Sequence, residues 1–156
     1  MEMLDLFSLL FILNDEVIAK VKTFTDLGVV LDKGLTFDDH VRATAAKGAS
    51  MLGFIKRTCC QFKDPFTIIS LYKSLVRSHL EYCSVVWNTV GQATYVARLE
   101  KVQRSFTRYA LKKLRWSDVN NIPSYDVRLQ MLALETLDDR RLLFDVSLVH
   151  DLFYCF

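Results

Sequence analysis

Arg98, Lys101, Arg104, Arg108, Lys112 and Arg115 recur at steps of three or four residues. At about 100° per residue on an α-helix, those steps set all six within one arc of about 120°. Leu99, Val102, Phe106 and Ala110 occupy a separate arc, which gives the same helix an apolar face. Lys113 adds to the charge, and only Glu100 opposes it. Like charges aligned on one helical face repel each other. A row of phosphates relieves that repulsion, because Lys and Arg at successive turns track an anionic backbone and release its counterions. Lys56-Arg57 and the pair Lys73/Arg77, four residues apart, widen the basic set. The competing expectation is a face that is merely solvated, or neutralised by the chain's acidic flanks. No pattern suggests base-edge readout, so the expected contact is to phosphates with little sequence preference.

Other reactive side chains compose no site. His40, His79 and His150 are far apart and lack metal-ligand spacing. His79 falls in an apolar helix and reads as a core or rim histidine. His40 lies beside Asp38 and Asp39 at a helix start, where a capping or turn role is expected. Asp38-Asp39 and Asp138-Asp139 are adjacent pairs, and neighbours on a helix point to different faces. Cys59, Cys60, Cys83 and Cys155 form no C-x-x-C pair and read as reduced thiols of an intracellular protein, in the cytoplasm or nucleus. No glycine-rich phosphate loop, nucleophile elbow or H-E-x-x-H occurs. No catalytic residue, metal or cofactor is expected.

The charge is segregated along the chain. Residues 1–40 hold three Lys/Arg against eight Asp/Glu, residues 41–116 fourteen against three, and residues 117–156 three against seven. A basic middle between acidic ends points to a polyanion partner. With 51% apolar and 24% charged residues, the chain has the means to build a core and is not a disordered tail. The apolar run Leu6 to Leu13 is far short of the roughly 20 residues a membrane-spanning helix needs. The first residues lack a basic start and a cleavage site, so neither membrane segment nor signal peptide is expected.

Several elements must position these cations. Phe11-Ile12-Leu13 and Val17-Ile18, joined by Asn14-Asp15, read as a hairpin. Leu27-Gly28-Val29-Val30-Leu31 reads as a third strand. From Asp38, the expected N-cap, Val41, Ala45, Ala49, Leu52 and Ile55 fall at helical spacing as far as about Phe62. Gly48 and Gly53 in that helix suit close packing. Asp64-Pro65 predicts a new start, with a largely apolar helix from Pro65 to Val86 for the centre of the bundle. The basic helix spans about Ala93 to Leu114. Ser124 caps a short helix to about Leu134, and Leu137 to Tyr154 forms the last. The expected fold is mostly α: a bundle of four to five helices (36–156) preceded by a short β-hairpin and strand (1–35).

The order of several blocks carries a family resemblance. These are Thr25-Asp26-Leu27-Gly28-Val29-Val30-Leu31-Asp32, then Leu35-Thr36-Phe37 with His40, then Leu52-Gly53-Phe54-Ile55-Lys56-Arg57. Leu71-Tyr72-Lys73-Ser74-Leu75-Val76-Arg77-Ser78-His79-Leu80-Glu81-Tyr82 follows, reaching Val86-Trp87-Asn88. Leu99-Glu100-Lys101-Val102-Gln103-Arg104 with Phe106 comes next, and Tyr125, Arg128, Leu129, Leu132 and Arg140-Arg141 close the series. Over about 140 residues this order resembles the region after the catalytic palm in non-LTR (LINE-type, jockey-like) retrotransposon reverse transcriptases. The resemblance implies that the early strands end a palm and primer grip. It implies that the helices form a thumb and connection clamping RNA or an RNA–DNA duplex, beside a palm in a full-length homologue. The family's Tyr/Phe-x-Asp-Asp turn has no counterpart here, and neither do its endonuclease domain and C-terminal Cys/His knuckle. Two-metal phosphoryl transfer needs those aspartates, so no polymerase activity is expected, and the chain reads as a truncated element copy or partial gene. The alternative is a non-functional structural remnant that exposes an apolar palm interface around residues 1–35 and on the second helix.

Overall fold

Short β-branched and aromatic runs pair locally at the start of the chain. The computed structural model describes residues 12–13, 16–17, 21–62, 64–88, 93–114 and 122–154. It divides into two compact units, Met1–Thr36 and Phe37–Phe156. In the first unit, β1 (Ile12–Leu13) pairs antiparallel with β2 (Glu16–Val17), which is the expected hairpin.

A second hairpin replaces the single strand expected over 27–31. β3 (Thr23–Asp26) pairs antiparallel with β4 (Val29–Asp32), with Asp26 opposite Val29. Leu27 and Gly28 are the turn, both left-handed at φ 45° and 83°. A two-residue hairpin loop with positive φ at both positions matches the right-handed strand twist. Gly28 tolerates this freely, whereas Leu27 disguises the turn as strand. Beyond β4, the Asp32 carboxylate accepts hydrogen bonds from the Gly34 N–H and the Thr36 hydroxyl, each at 2.9 Å.

The second unit is the helical bundle. α1 (Asp38–Thr58) starts after a left-handed Phe37 at φ 58°. Asp38 is therefore not the N-cap but a first-turn residue, where its charge suits the helix dipole. α1 ends at Thr58 rather than near Phe62, with the Cys59 N–H bonded to the Ile55 carbonyl at 2.8 Å. Val41, Leu52 and Ile55 are buried as expected, but Ala45 is only half-buried and Ala49 is exposed. Gly48 is buried against Leu80, and a Cβ there would stand 2.6 Å from Leu80 Cδ2.

The continuous helix expected from Pro65 to Val86 is broken. α2 (Pro65–Leu71) starts as expected, with Asp64 accepting from the Phe66 and Thr67 N–H groups at 3.3 and 2.9 Å. A π-helical stretch, Tyr72–Arg77, then leads into α3 (Ser78–Glu81). Ile68, Tyr72, Val76 and Leu80 recur every four residues and are all fully buried. Four residues overshoot an α-helical turn of 3.6, and the wider π turn keeps the four on one face. Cys83, left-handed at φ 55°, then stops the helix. Short α4 (Ser84–Trp87) follows, with the Trp87 indole buried and donating to the Tyr82 carbonyl at 2.8 Å. This break leaves Val86 half-exposed instead of in the core.

α5 (Ala93–Lys113), α6 (Tyr125–Met131) and α7 (Leu137–Tyr154) complete the unit close to the expected bounds. Ser124 occupies the N-cap position of α6, but its side chain makes no capping hydrogen bond. The α5 face formed by Leu99, Phe106 and Ala110 packs into the core, and Tyr72 stacks on Phe106 with ring centroids 3.9 Å apart. Buried Gln103 accepts from the Tyr72 hydroxyl at 2.6 Å, and donates to the Tyr125 hydroxyl at 3.0 Å and the Glu135 carbonyl at 2.8 Å. Three segments are thus tied to one side chain of α5.

Candidate nucleic-acid interface

The helix that carries the cations is positioned by its other face. On α5, Tyr95, Leu99, Val102, Gln103, Phe106, Thr107, Ala110 and Leu111 are buried. Lys101, Arg104, Arg108 and Lys112 are exposed on the opposite arc. Arg98 is also exposed, and its guanidinium bonds Asp38 Oδ1 at 2.6 Å. That bond holds the Asp38 carboxyl below its usual pKa, with Arg42 adding to the effect. The acidic flank therefore neutralises one cation at the row's beginning. Lys101, Arg108 and Lys112 have no ion-pair partner among the described residues. Arg104 lies over the Tyr125 ring at 4.6 Å, which fixes the guanidinium, and it makes no ion pair among the described residues. Arg115 falls outside the described residues.

Glu100 is not in the row. Its carboxylate is buried, and it accepts from the Tyr125 hydroxyl and from the Leu137 N–H at 3.2 Å. Burial pushes its pKa up, more than those two hydrogen bonds lower it. The one anion that interrupts the basic row in sequence therefore anchors α6 and α7 from inside.

The outlying cations divide. Lys56, half-buried at the end of α1, donates to Ser105 Oγ at 2.9 Å across the α1–α5 seam. Burial lowers its ammonium pKa, and the like charge of Lys112 lowers it further. Arg57 is exposed. Lys113 bends back to the Cys60 carbonyl and flanks the Tyr109 ring. Lys73 is exposed, but Arg77 is half-buried 3.9 Å from Glu81. Glu81 also takes Arg140 at 2.5 Å, so Arg77 belongs to an internal ionic cluster and not to the basic surface. Arg141 is fully buried, bonded to Asn88 and Asp138 at 3.3 and 3.2 Å. His40 is buried with its ring 5.5 Å from that of Trp87, a packing position in place of the expected capping role.

Between α1 and α5 runs a groove of about 420 Å³. Ala45, Ala46, Ala49 and Gly53 lie along it, and Lys56, Arg98 and Lys101 stand at its sides. The alanines expected in the core instead form a floor open to solvent. Three of the predicted cations thus converge, a juxtaposition that helix-by-helix reading does not reach. The signal present in the sequence was the unusual density of Ala and Gly on α1.

Compared with known protein families, curated proteins and solved structures, the chain matches none. Among the described residues, no helix is long and apolar enough to cross a membrane. No three His, Cys, Asp or Glu side chains among them are grouped to hold a metal ion.

Proposed function

We propose that the helical unit is a nucleic-acid-contacting fragment of a non-LTR retrotransposon reverse transcriptase, drawn from the thumb and connection beyond the palm. It holds RNA or an RNA–DNA duplex by the phosphate backbone and carries no polymerase chemistry of its own. The supporting observation is the row from Lys101 to Lys112, which is solvent-exposed on the arc opposite the buried face of α5. Cations held in line on a rigid helix keep a charge repulsion that an anionic strand removes. The order of sequence blocks supports the family origin.

The test is an anisotropy titration of labelled oligouridylate, and of its hybrid with oligodeoxyadenylate, over a range of salt. Neutralising about five phosphates gives a slope of log K against log salt of about −3.5 to −4.5. Arg104→Glu with Arg108→Glu is expected to weaken binding strongly. Lys47→Glu, an exposed cation outside the groove and the row, is expected to change it little. Arg140 and Arg141 are unsuitable controls, because Arg140 holds the enclosed Glu81 carboxylate and Arg141 is itself fully buried. A flat salt response, or wild-type binding by the double charge reversal, rejects the reading.

A further inference from the structure

The α1–α5 groove joins two features that the basic row alone does not explain. Beside buried Leu52 and Val102, its apolar floor carries the small side chains Ala45, Ala46, Ala49 and Gly53, although α1 has room there for larger ones. A Cβ on Gly53 would make only ordinary contact, 3.4 Å from Arg57 Nη1. Nothing in the helical packing requires small residues at the exposed positions 46 and 49. What they permit is close approach of another chain to the α1 backbone.

The sides of the groove state the charge of that chain. Lys101 stands on α5 beside Arg98, which Asp38 already holds, while Lys56 reaches in from α1 and meets Ser105. The row continues beyond the groove along the same helix through Arg104, Arg108 and Lys112. From Arg98 to Lys112 it covers about 21 Å of helix axis at 1.5 Å per residue. That equals about six base steps at the 3.4 Å rise of one strand stacked as in a DNA duplex. A nucleic-acid strand alternates anionic phosphates with sugar edges rich in carbon and hydrogen. The groove offers the same alternation, with cations at its sides and an apolar floor.

Building on the nucleic-acid reading above, we infer that this groove seats a single sugar–phosphate strand, its sugar edges on the alanine floor and its phosphates between Lys56 and Lys101. The strand then leaves the groove along Arg104, Arg108 and Lys112. The protein's contact is therefore a track with a steric floor, and affinity depends on groove depth as well as on charge.

The test fills the floor without changing charge. Ala46→Met and Ala49→Met, separately and together, replace one good helix former with another at exposed positions. The double variant is expected to bind labelled oligouridylate on the order of tenfold more weakly, with an unchanged melting temperature. Lys101→Gln is expected to flatten the salt slope by about 0.7 to 0.9. Independently of any variant, oligouridylate bound to the wild-type chain is expected to shield Lys56 and Lys101 from amine acetylation, and Lys47 much less. That measurement stands if the methionine variants fold poorly. Wild-type affinity of the double variant, with binding still lost on Arg104→Glu and Arg108→Glu, overturns the groove and leaves the nucleic-acid reading intact. Loss of neither sinks both. If an acidic amphipathic helical peptide binds more tightly than oligouridylate and is expelled by the methionines, the occupant is a protein helix and the inference fails.

Discussion

Glu100 shows how little a neighbour in sequence says about a neighbour in space. It sits one residue from Lys101 and two from Arg98, yet its carboxylate lies beneath them, against Tyr125 and the start of α7. Its pKa is raised because burial disfavours the charged form. A carboxyl whose folded pKa exceeds its unfolded one adds most stability below the unfolded value, about 4.3. That contribution is lost as pH rises through the folded value. Glu100→Gln retains an acceptor for Tyr125 and removes the titration. We expect the variant's melting temperature to gain on the wild type's as pH rises from about 4 towards neutrality. Parallel curves across that range would show that the buried carboxyl does not couple to folding.

At the scale of elements, local signals served well where the backbone itself spoke. Asp64-Pro65 marked the start of α2, and the basic helix and α7 ran close to their apolar periods. They failed where one residue adopted a conformation its type disfavours. Left-handed Leu27 turned an expected strand into a hairpin loop, and left-handed Cys83 cut the apolar helix before Val86. Nothing in a leucine or a cysteine announces positive φ, and at exposed Leu27 it is the pairing of Asp26 with Val29 across a two-residue loop that requires it. The contact between α1 and α3 is a different case, since its glycine was visible. Gly48→Ala places a methyl against Leu80, itself fully enclosed. We expect a loss of about 1–3 kcal/mol, measured by urea unfolding. Gly53→Ala faces the open groove and is expected to cost nothing by packing and to gain helix propensity. Equal effects at the two sites would remove the argument for close approach at Gly48.

For the whole molecule, the notable surface lies on α7. Leu142, Leu143, Val146, Val149, Leu152 and Phe153 are each more than half exposed. An apolar surface of that extent on one helix favours association. Phe24, Leu27 and Phe66 are exposed as well, but α7 was not foreseen as a sticky face. We expect light scattering to rise with protein concentration, and to fall for Leu142→Lys with Val149→Lys. If scattering stays at the monomer value at every concentration, the apolar face does not drive association. A scattering rise that persists in the lysine variants would place the contact elsewhere.

Read alone, the chain determined its class and the line of its cations. Helical period needs only residue type and spacing, and the arc from Arg98 to Lys112 is geometry that any α-helix must obey. The sequence also marked Asp64 as a cap and α5 as a helix with one wet and one dry face. Tertiary structure decided which charges remain available. It withdrew Arg77 into an internal pair, buried Arg141, coupled Arg98 to Asp38, and turned Glu100 inward. It also moved Ala49 from an expected core to the floor of a groove. Charge is a property of a residue, but its compensation depends on residues up to about sixty positions away, and only the packed chain brings those together.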